Sequence, residues 1–246
     1  MRTVMTFVLA LLLATPALAA EVPEIANTVP AHDPVTLQLE ELWRRGGEGD
    51  DVMIGLPVEA MSDPEGRVYL ADQQLCQAFV FGPDGALLRT LGRQGEGPGE
   101  VSGPVDMVRF PDGTVGLAEF FPGKIVKIGT DGLPAGEVTV DVGRGETGGF
   151  TIQTMAEMQG DHLLMAGSRS EPGEKFTVRT HFLAAIGPDG KETVRYMEQV
   201  SRIQRPHSVV HENDFVPAFP LASALGPDGR VYTPADREHY AVNVFL

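Results

Sequence analysis

The amino-acid sequence predicts an all-β protein made of repeated four-stranded antiparallel sheets, and three observations predict this fold class. A tight turn followed by a short apolar strand recurs along the chain. A second series of turns interleaves with the first at the same spacing. The composition, with 29 glycines and 19 prolines in 246 residues of which 42% are hydrophobic, is typical of a globular protein with many turns.

The first repeat is a Pro-Glu-Gly or Pro-Asp-Gly turn and the strand after it. Its copies span Asp63–Asp72, Phe110–Glu119, Gln159–Ala166 and Gly226–Thr233, the third of them weakened. The turn glycines Gly66, Gly113 and Gly160 follow one another at intervals of 47 residues, whereas the step to Gly229 is 69 residues. Internal repeats of this length are typical of propellers and solenoids.

The second repeat contains another turn, and its copies span Phe79–Gly85, Val126–Gly132 and Ala185–Gly190. Two hairpin turns in each period give four strands, because glycine supplies the positive φ that such turns require. Alternating runs flank the turns of the first unit, at 67–71, 77–81 and 87–91. Four strands in about 47 residues predict a β-propeller blade. A β-sandwich is the alternative, but it does not predict equal spacing for both turn series.

The stretch from Gly46 to Gly95 resembles a blade of the NHL type. It has a glycine-rich beginning, Pro57, the Asp63 turn, the strand Val68–Asp72 and the run Phe81–Gly92. The linker Gly92–Glu100 is similar to that of exported bacterial six-bladed propellers. The resemblance is strong over 42–132, weak over 133–225, and returns over 226–246. It implies a six-bladed type of propeller with about four blades present, and it implies little about function.

The end of the chain leaves two expectations open. The run Tyr240–Leu246 aligns with Gln77–Phe81 and is predicted to be a third strand. Val35–Arg45 stands where a fourth strand belongs, so a closed four-bladed ring requires it to pair beside that last strand. A truncated six-bladed propeller is favoured, because the third-to-fourth step is stretched. Truncation predicts a poorly soluble or marginally stable chain with an open edge.

Residues 1–20 are predicted to be a signal peptide. Arg2 precedes the apolar run Val4–Ala14, and Ala17-Leu-Ala19 fits the small-residue cleavage pattern, with cleavage expected after Ala19 or Ala20. A membrane anchor is the alternative, but the apolar run is shorter than the ~20 residues of a spanning helix. We expect an exported, periplasmic or extracellular protein without membrane insertion after cleavage. A lead segment at 21–34 would precede the propeller at 35–246.

The formal net charge of −15 disfavours nucleic-acid binding, because an acidic surface repels the phosphate backbone. It favours cationic partners or metal ions. The one cysteine, Cys76, lies in an apolar pattern and is interpreted as a core residue.

Two carboxylates, Glu59 and Asp106, each stand five residues before the proline of their repeat. They are therefore expected at matching positions on innermost strands, facing the central channel, while the third and fourth repeats carry Thr154 and Ala222 at about this position. In gluconolactonase-type propellers channel carboxylates hold a divalent cation, and the resemblance implies Ca²⁺ or a similar ion for an oxygen ligand set. The alternative is a solvated carboxylate pair.

A locally basic stretch between the third and fourth repeats is a candidate ligand or partner contact, and it contains Arg202, Arg205, His207 and His211. The alternative is an exposed polar loop. The sequence contains no Gly-x-Ser-x-Gly elbow, and no catalytic residue is predicted. The function that follows is an exported, non-catalytic propeller that binds a small molecule or a protein and needs no cofactor. The alternative is a propeller lyase or lactonase with a divalent metal in the channel.

Overall fold

A computed structural model of the chain describes Val29, residues 33–121, 123–139, 150–174, 176–204 and 223–235, His239, and residues 241–246. The regular elements in this part of the chain are all strands, so the predicted all-β class is confirmed. The search for membrane-spanning helices finds none among these residues. The predicted signal peptide lies outside the described residues.

The chain divides into two compact units, residues 1–40 and residues 41–246. In the described part of the first unit the chain forms no strand, and its side chains are exposed. The second unit contains all the sheets.

The second unit contains four blades of a β-propeller, as the repeats predict. In each blade the strands pair antiparallel with their sequence neighbours, as hairpins. Blade 1 consists of β1 (Pro57–Ser62), β2 (Val68–Asp72), β3 (Gln77–Phe81) and β4 (Leu87–Leu91). Two short parallel strands, β5 (Arg93–Gln94) and β6 (Glu100–Val101), join it to the next blade. Blade 2 consists of β7 (Pro104–Arg109), β8 (Val115–Glu119), β9 (Lys124–Ile128) and β10 (Pro134–Thr139).

Blade 3 has much longer strands, and blade 4 has one strand fewer among the described residues. Blade 3 consists of β11 (Phe150–Gln159), β12 (His162–Pro172), β13 (Phe176–Ile186) and β14 (Glu192–Gln204). Blade 4 consists of β15 (Ala224–Leu225), β16 (Val231–Pro234) and β17 (Val242–Phe245). The predicted third strand at the end of the chain is thus confirmed over Val242–Phe245. Four strands per blade holds for the first three blades.

The predicted tight turns are present and share one construction. In the turn of Gly82-Pro-Asp-Gly85, the amide of Gly85 donates to the carbonyl of Gly82 at 2.9 Å, and Gly85 has φ 78°. The Asp84 carboxylate accepts the amide of Ala86 at 3.1 Å. The same aspartate bond recurs in four further turns, at Asp112, Asp131, Asp189 and Asp228. The aspartate therefore fixes these turns together with the glycine.

The core lies between neighbouring blades, because each sheet has apolar side chains on both faces. One cluster joins blades 1 and 2 around Tyr69 and Leu117, and the next joins blades 2 and 3 around Ile125 and Phe182. The third joins blades 3 and 4. Its buried members are Leu164, Ala166, Leu183 and Val231. Burying such side chains is the main source of stability in a stack of sheets.

The remaining face of blade 1 is covered by the segment that leads into it. Trp43, Val52 and Ile54 pack there against Phe79 and Phe81, with the rings of Trp43 and Phe81 at 5.6 Å between centroids. None of the hydrophobic clusters in the described part of the chain joins blade 4 to blade 1. Residues 35–45 form no strand, so the pairing that a closed four-bladed ring requires is not formed in this structure.

Cys76 is buried, as expected, but it lies in the turn before β3 and not in a strand. Its φ is 54°, a left-handed conformation that only glycine adopts freely. The next repeat has Gly123, with φ 82°, at the matching place. The turn geometry and not the apolar pattern therefore fixes the position of this cysteine.

Candidate functional site

The first strands of successive blades lie next to one another, and carboxylates link them. The amide of Ala156 on β11 donates to Asp106 Oδ2 on β7 at 2.6 Å. The amide of Leu225 on β15 donates to Glu157 Oε2 on β11 at 3.1 Å. Each carboxylate thus reaches from the first strand of its own blade to the backbone of the next. This places the first strands of blades 2, 3 and 4 side by side, as the innermost strands of a propeller are.

Among these carboxylates, Asp106 has the most strongly shifted pKa. It is buried, with 8% of its surface exposed, and it accepts amide hydrogen bonds from Ala156 and, at 2.7 Å, from Met107. Burial raises its pKa to about 6, because a desolvated carboxylate is harder to ionise; Glu59 and Glu157 add to the effect. The hydrogen bonds act in the opposite direction and only partly offset it. Asp106 therefore titrates in the weakly acidic range.

Glu59 and Glu157 complete a group of three carboxylates on β1, β7 and β11. Burial, followed by the charge of Glu59, raises the pKa of Glu157, so these side chains are close enough to influence one another. Alternation along the strands turns Glu59 toward blade 2, Asp106 toward blade 3 and Glu157 toward blade 4. Glu59 is half-buried, and among the described residues no hydrogen bond or ion pair holds it. Glu59 is therefore the least constrained of the three carboxylates within the described part of the chain.

The structure puts the matching position of the third blade at Met155 and not at Thr154. After a register shift in each first strand, Glu59 is paired with Ala71, Asp106 with Ala118 and Met155 with Ala166. The first hairpin of blade 3 turns in two residues, Gly160 and Asp161, so the strand is displaced by one position from the sequence match. Ala222 lies outside the described residues.

The carboxylates do not form a metal centre in this geometry. Among the described residues, no three His, Cys, Asp or Glu side chains approach closely enough to share an ion. Asp106 and Glu157 also use their oxygens for backbone amides. The oxygen donors suit Ca²⁺ or Mg²⁺ chemically, but the donor positions do not fit, since such ions take six or more oxygen ligands.

Glu157 was missed by the sequence analysis because it lies two positions after the matching residue of its strand. Searching each first strand for any carboxylate between the register shift and the turn would have found it. The basic stretch is only partly described. Arg202 lies on β14, paired with Val178, and its side chain is exposed. Arg205, His207 and His211 lie outside the described residues, so their predicted contact role stays a prediction.

A second polar group lies inside the long hairpins of blade 3. His181 on β13 is buried, with 9% of its surface exposed, and its Nε2 has no hydrogen-bond partner among the described residues. Burial lowers the pKa of His181 to about 4, and the nearby charge of Arg179 lowers it further. Buried serines share the group. These are Ser168, Ser170 and Ser201. The sequence analysis did not single out this histidine, which lies in β13 between the polar half of the strand, with Thr177, Arg179 and Thr180, and its apolar half.

A buried ion-pair network joins the first turn of blade 1 to blade 2. The carboxylate of Asp63 accepts from Arg67 Nε at 2.6 Å and from the Tyr69 hydroxyl at 3.1 Å, and it lies 3.6 Å from Arg109 of β7. Burial alone would raise the pKa of Asp63, but the hydrogen bonds from Arg67 and Tyr69 outweigh it, and the pKa is lowered. The network is satisfied internally, so its role is to hold the two blades together.

A scan of the sequence against protein-family models finds no match, and a search of curated protein sequences finds none either. Solved structures do show the fold. A candidate exported protein from Bacteroides fragilis aligns with a TM-score of 0.50 and 13% identity over 80% of this chain and 48% of that one. The chain thus spans about half the length of this protein.

Two lyase structures also align, more weakly. The virginiamycin B lyase of Staphylococcus aureus, with selenomethionine, has a TM-score of 0.36 and 13% identity over 77% of this chain and 69% of the lyase. A streptogramin B lyase has a TM-score of 0.36 and 12% identity over 79% and 70%. At these values the lyases carry no argument about this chain, and the first structure supports the propeller fold alone.

Proposed function

We propose that this chain is an exported β-propeller that binds a ligand or a protein partner at its inner strands and catalyses no reaction itself. The observation that carries the proposal is Glu59, a half-buried carboxylate without a described partner beside Asp106 and Glu157. The other two carboxylates hold neighbouring blades together through backbone amides. Among the three, Glu59 is the one that no other described residue engages, and we assign ligand binding to it.

The ligand this site favours is cationic. The charge of Glu59 contributes to the raised pKa values of Asp106 and Glu157, so a positive charge placed among these carboxylates lowers the free energy of their ionised forms. The net charge of −15 attracts cations to the protein as a whole. An organic ammonium group or a lysine side chain of a partner protein satisfies both conditions, without the fixed ligand geometry that a metal requires.

Export is the second part of the proposal, and it rests on the predicted leader. Arg2, the apolar run Val4–Ala14 and the small residues at 17–19 have the order that signal peptidase substrates share. The similar Bacteroides protein is itself described as a candidate exported protein. Edman sequencing of the protein recovered from the periplasm or medium tests this. A chain that begins at Ala20 or Glu21 supports export, and one that still begins at Met1 contradicts it.

Calorimetric titration with spermidine at neutral pH and low salt tests the binding site. We expect Glu59→Gln to weaken binding about tenfold, since one charge-assisted contact is worth about 1.5 kcal/mol or more. Glu65→Gln is the matched control, because it removes the same charge from an exposed turn of the same blade. Equal loss in both variants would show that only the net charge matters and would contradict a site at Glu59.

The alternative function is a lyase or lactonase with a divalent cation in the channel. Glu157 adds a third candidate ligand to Glu59 and Asp106 for this alternative, although the three do not fit a metal as they stand. Titration with CaCl₂ and elemental analysis of the purified protein test it. A stoichiometric ion that is lost in Glu59→Gln but kept in Glu65→Gln would favour the alternative over the non-catalytic binding module.

A further inference from the structure

A row of polar side chains lies in the extended half of blade 3, on the face of the sheet that packs on blade 4. Ala166 and Leu183, on the inner halves of β12 and β13, belong to the apolar cluster that joins these two blades. Side chains two or four positions farther along the same strand point to the same side. By this alternation the polar row consists of Ser168 and Ser170 on β12, His181 and Arg179 on β13, and Ser201 on β14.

Most of this polar row is buried, although it lies beyond the apolar contacts between blades 3 and 4. On β12 and β13 the shared cluster ends at Ala166 and Leu183, and the described strands of blade 4 have only two to four residues. The three serines are nevertheless as well buried as the core, at 6%, 1% and 6% exposure in chain order. Polar groups buried in such a place destabilise the folded chain unless their hydrogen bonds are made.

His181 and Ser168 form the part of the row whose hydrogen bonds are not made by described residues. His181 Nε2 is buried and has no partner among them. Ser168 lies directly opposite His181 on the neighbouring strand, and its hydroxyl forms no hydrogen bond within the described part of the chain. A buried polar atom without a partner is rare, because its hydration is lost and nothing replaces it. A ligand that supplies the missing hydrogen bond therefore gains binding free energy here.

The charge on this face of the extended half is positive. Arg179 is half-buried two positions before His181, and its Nε donates to Ser170 Oγ at 3.2 Å. Burial lowers the pKa of His181, and the charge of Arg179 lowers it further, so the guanidinium acts on the imidazole. Alternation turns the nearby carboxylates, Glu171 and Glu198, to the opposite face of the sheet. Among the described strand residues, the row thus has one positive and no negative charge.

A carboxylate is the group that fits these donors and this charge. Its two oxygens accept several hydrogen bonds, so one group can bind an imidazole N–H, a hydroxyl and a guanidinium together. Its single negative charge matches the single guanidinium, whereas a phosphate brings about two charges into a buried place where only one is compensated. A neutral ligand satisfies the hydrogen bonds but makes no use of the charge.

We propose that this face of blade 3 is a second ligand site, which binds a small monocarboxylate at His181, Ser168 and Arg179. The neutral imidazole donates from Nε2 and the Ser168 hydroxyl donates beside it, while the Arg179 guanidinium compensates the charge of the ligand. The carboxylate thus supplies the partner that the buried imidazole lacks. This site takes a ligand of the opposite charge from the one proposed at Glu59, and it does not depend on that proposal.

Calorimetric titration of the full chain with sodium acetate at neutral pH tests the proposal, with sodium chloride at the same ionic strength as the background. We expect saturable binding with a dissociation constant of about 1 mM, a range open to so small a ligand. Acetamide has nearly the same shape without the charge, and it should bind at least about tenfold more weakly. Acetate binding that does not saturate, or acetamide binding as tightly as acetate, would overturn the proposal.

Substitutions and the imidazole resonances locate the site. His181→Leu should weaken acetate binding at least about tenfold, because it removes the Nε2 donor, whereas His162→Leu, at an exposed imidazole of the neighbouring strand, should change it less than about twofold. Ser168→Ala removes only a hydroxyl and should weaken binding about threefold or more. In the wild-type chain the ¹⁵N resonance of His181 Nε2 should move with acetate, while that of His162 stays in place. Ser168→Ala and this resonance decide the matter if circular dichroism shows His181→Leu to be unfolded. Equal effects of the two histidine variants, or an unmoved His181 resonance, would mean that acetate binds elsewhere and would overturn the inference.

Discussion

Blades 2 and 3 are neighbours with the same order of strands, but their strands differ twofold in length. Those of blade 2 have five or six residues, and those of blade 3 have 10 to 13. The inner halves are alike and pack on each other through Ile125 and Phe182. The extra length of blade 3 carries buried polar side chains such as His181 and Ser170. The shared part stabilises the stack, and the extension is where blade 3 differs in chemistry.

The difference between the packed inner half of blade 3 and its extension can be tested with two phenylalanines on β13. Phe182 is 1% exposed between blades 2 and 3, and Phe176 is 41% exposed at the far end of the same strand. Phe182→Ala should lower the free energy of unfolding by about 3–5 kcal/mol, and Phe176→Ala by about 1 kcal/mol or less. Urea denaturation measures both. Similar losses would mean that the extension is as much a part of the core as the inner half.

His181 should make the extension sensitive to acid. Its folded-state pKa is about 4, below the usual value near 6.5, so the unfolded chain binds the extra proton in this interval. Stability due to this group is therefore present above pH 6.5 and is lost as the pH falls to about 4, by about 3 kcal/mol in total. Relative to His181→Gln, the wild-type chain should lose this amount between pH 7 and pH 4.

The control for that experiment is His162→Gln, on the neighbouring strand, where the imidazole is exposed. Its stability should follow the wild-type pH curve. If the His181→Gln chain shows the wild-type pH dependence, the buried imidazole has a proton-accepting partner in solution. The long strands of blade 3 would then not be acid-sensitive through His181.

Asp106 in blade 2 should respond to pH with the opposite sign. Its folded-state pKa of about 6 lies above the usual value near 3.8, so the folded chain holds the proton more tightly. Its stabilising effect is full at low pH and is lost as the pH rises from about 4 to 6, by about 3 kcal/mol. Asp106→Asn should remove this fall in stability, whereas Asp131→Asn, in an exposed turn of the same blade, should leave it unchanged. A pH-independent difference between wild type and Asp106→Asn would contradict the assignment.

The sequence predicted the strand lengths of blade 2 well and those of blade 3 poorly. The reason is that a sequence repeat shows where the turns lie but not how long the strands between them are. Turn residues such as Gly113 and Gly132 are fixed by backbone geometry, so their spacing gave the blades and their order. Strand length has no such signature in the sequence. A hairpin that extends beyond the core needs only alternating apolar and polar residues, without turn residues at fixed positions. The weak resemblance over 133–225 therefore coincides with the long strands and not with a different fold.

The candidate site was predicted for two of its three carboxylates. Glu59 and Asp106 were found because they share a repeat position, and the structure places both on first strands, as expected. Glu157 approaches the same group from another position of its strand, which depends on the one-residue displacement in blade 3. Proximity between carboxylates at different repeat positions depends on how neighbouring blades pack, and the sequence of a single repeat does not contain it.

The smallest effect that distinguishes the two blades is expected at their last turns. Gly132 and Gly190 occupy equivalent turns of blades 2 and 3, with φ 87° and 78°. Alanine at either position is strained by about 1 kcal/mol, because its side chain disfavours the left-handed region. At Gly132 the new methyl group has room, since its nearest neighbour is the oxygen of Thr90 at 3.9 Å, whereas at Gly190 it would collide with the backbone oxygen of Thr139. We expect thermal unfolding to show a loss of about 1 kcal/mol for Gly132→Ala and about 2–3 kcal/mol for Gly190→Ala, because the collision adds the cost of overpacking. Equal losses would mean that blade 3 yields at this turn, and that its long strands are held less tightly against blade 2 than the buried side chains between them indicate.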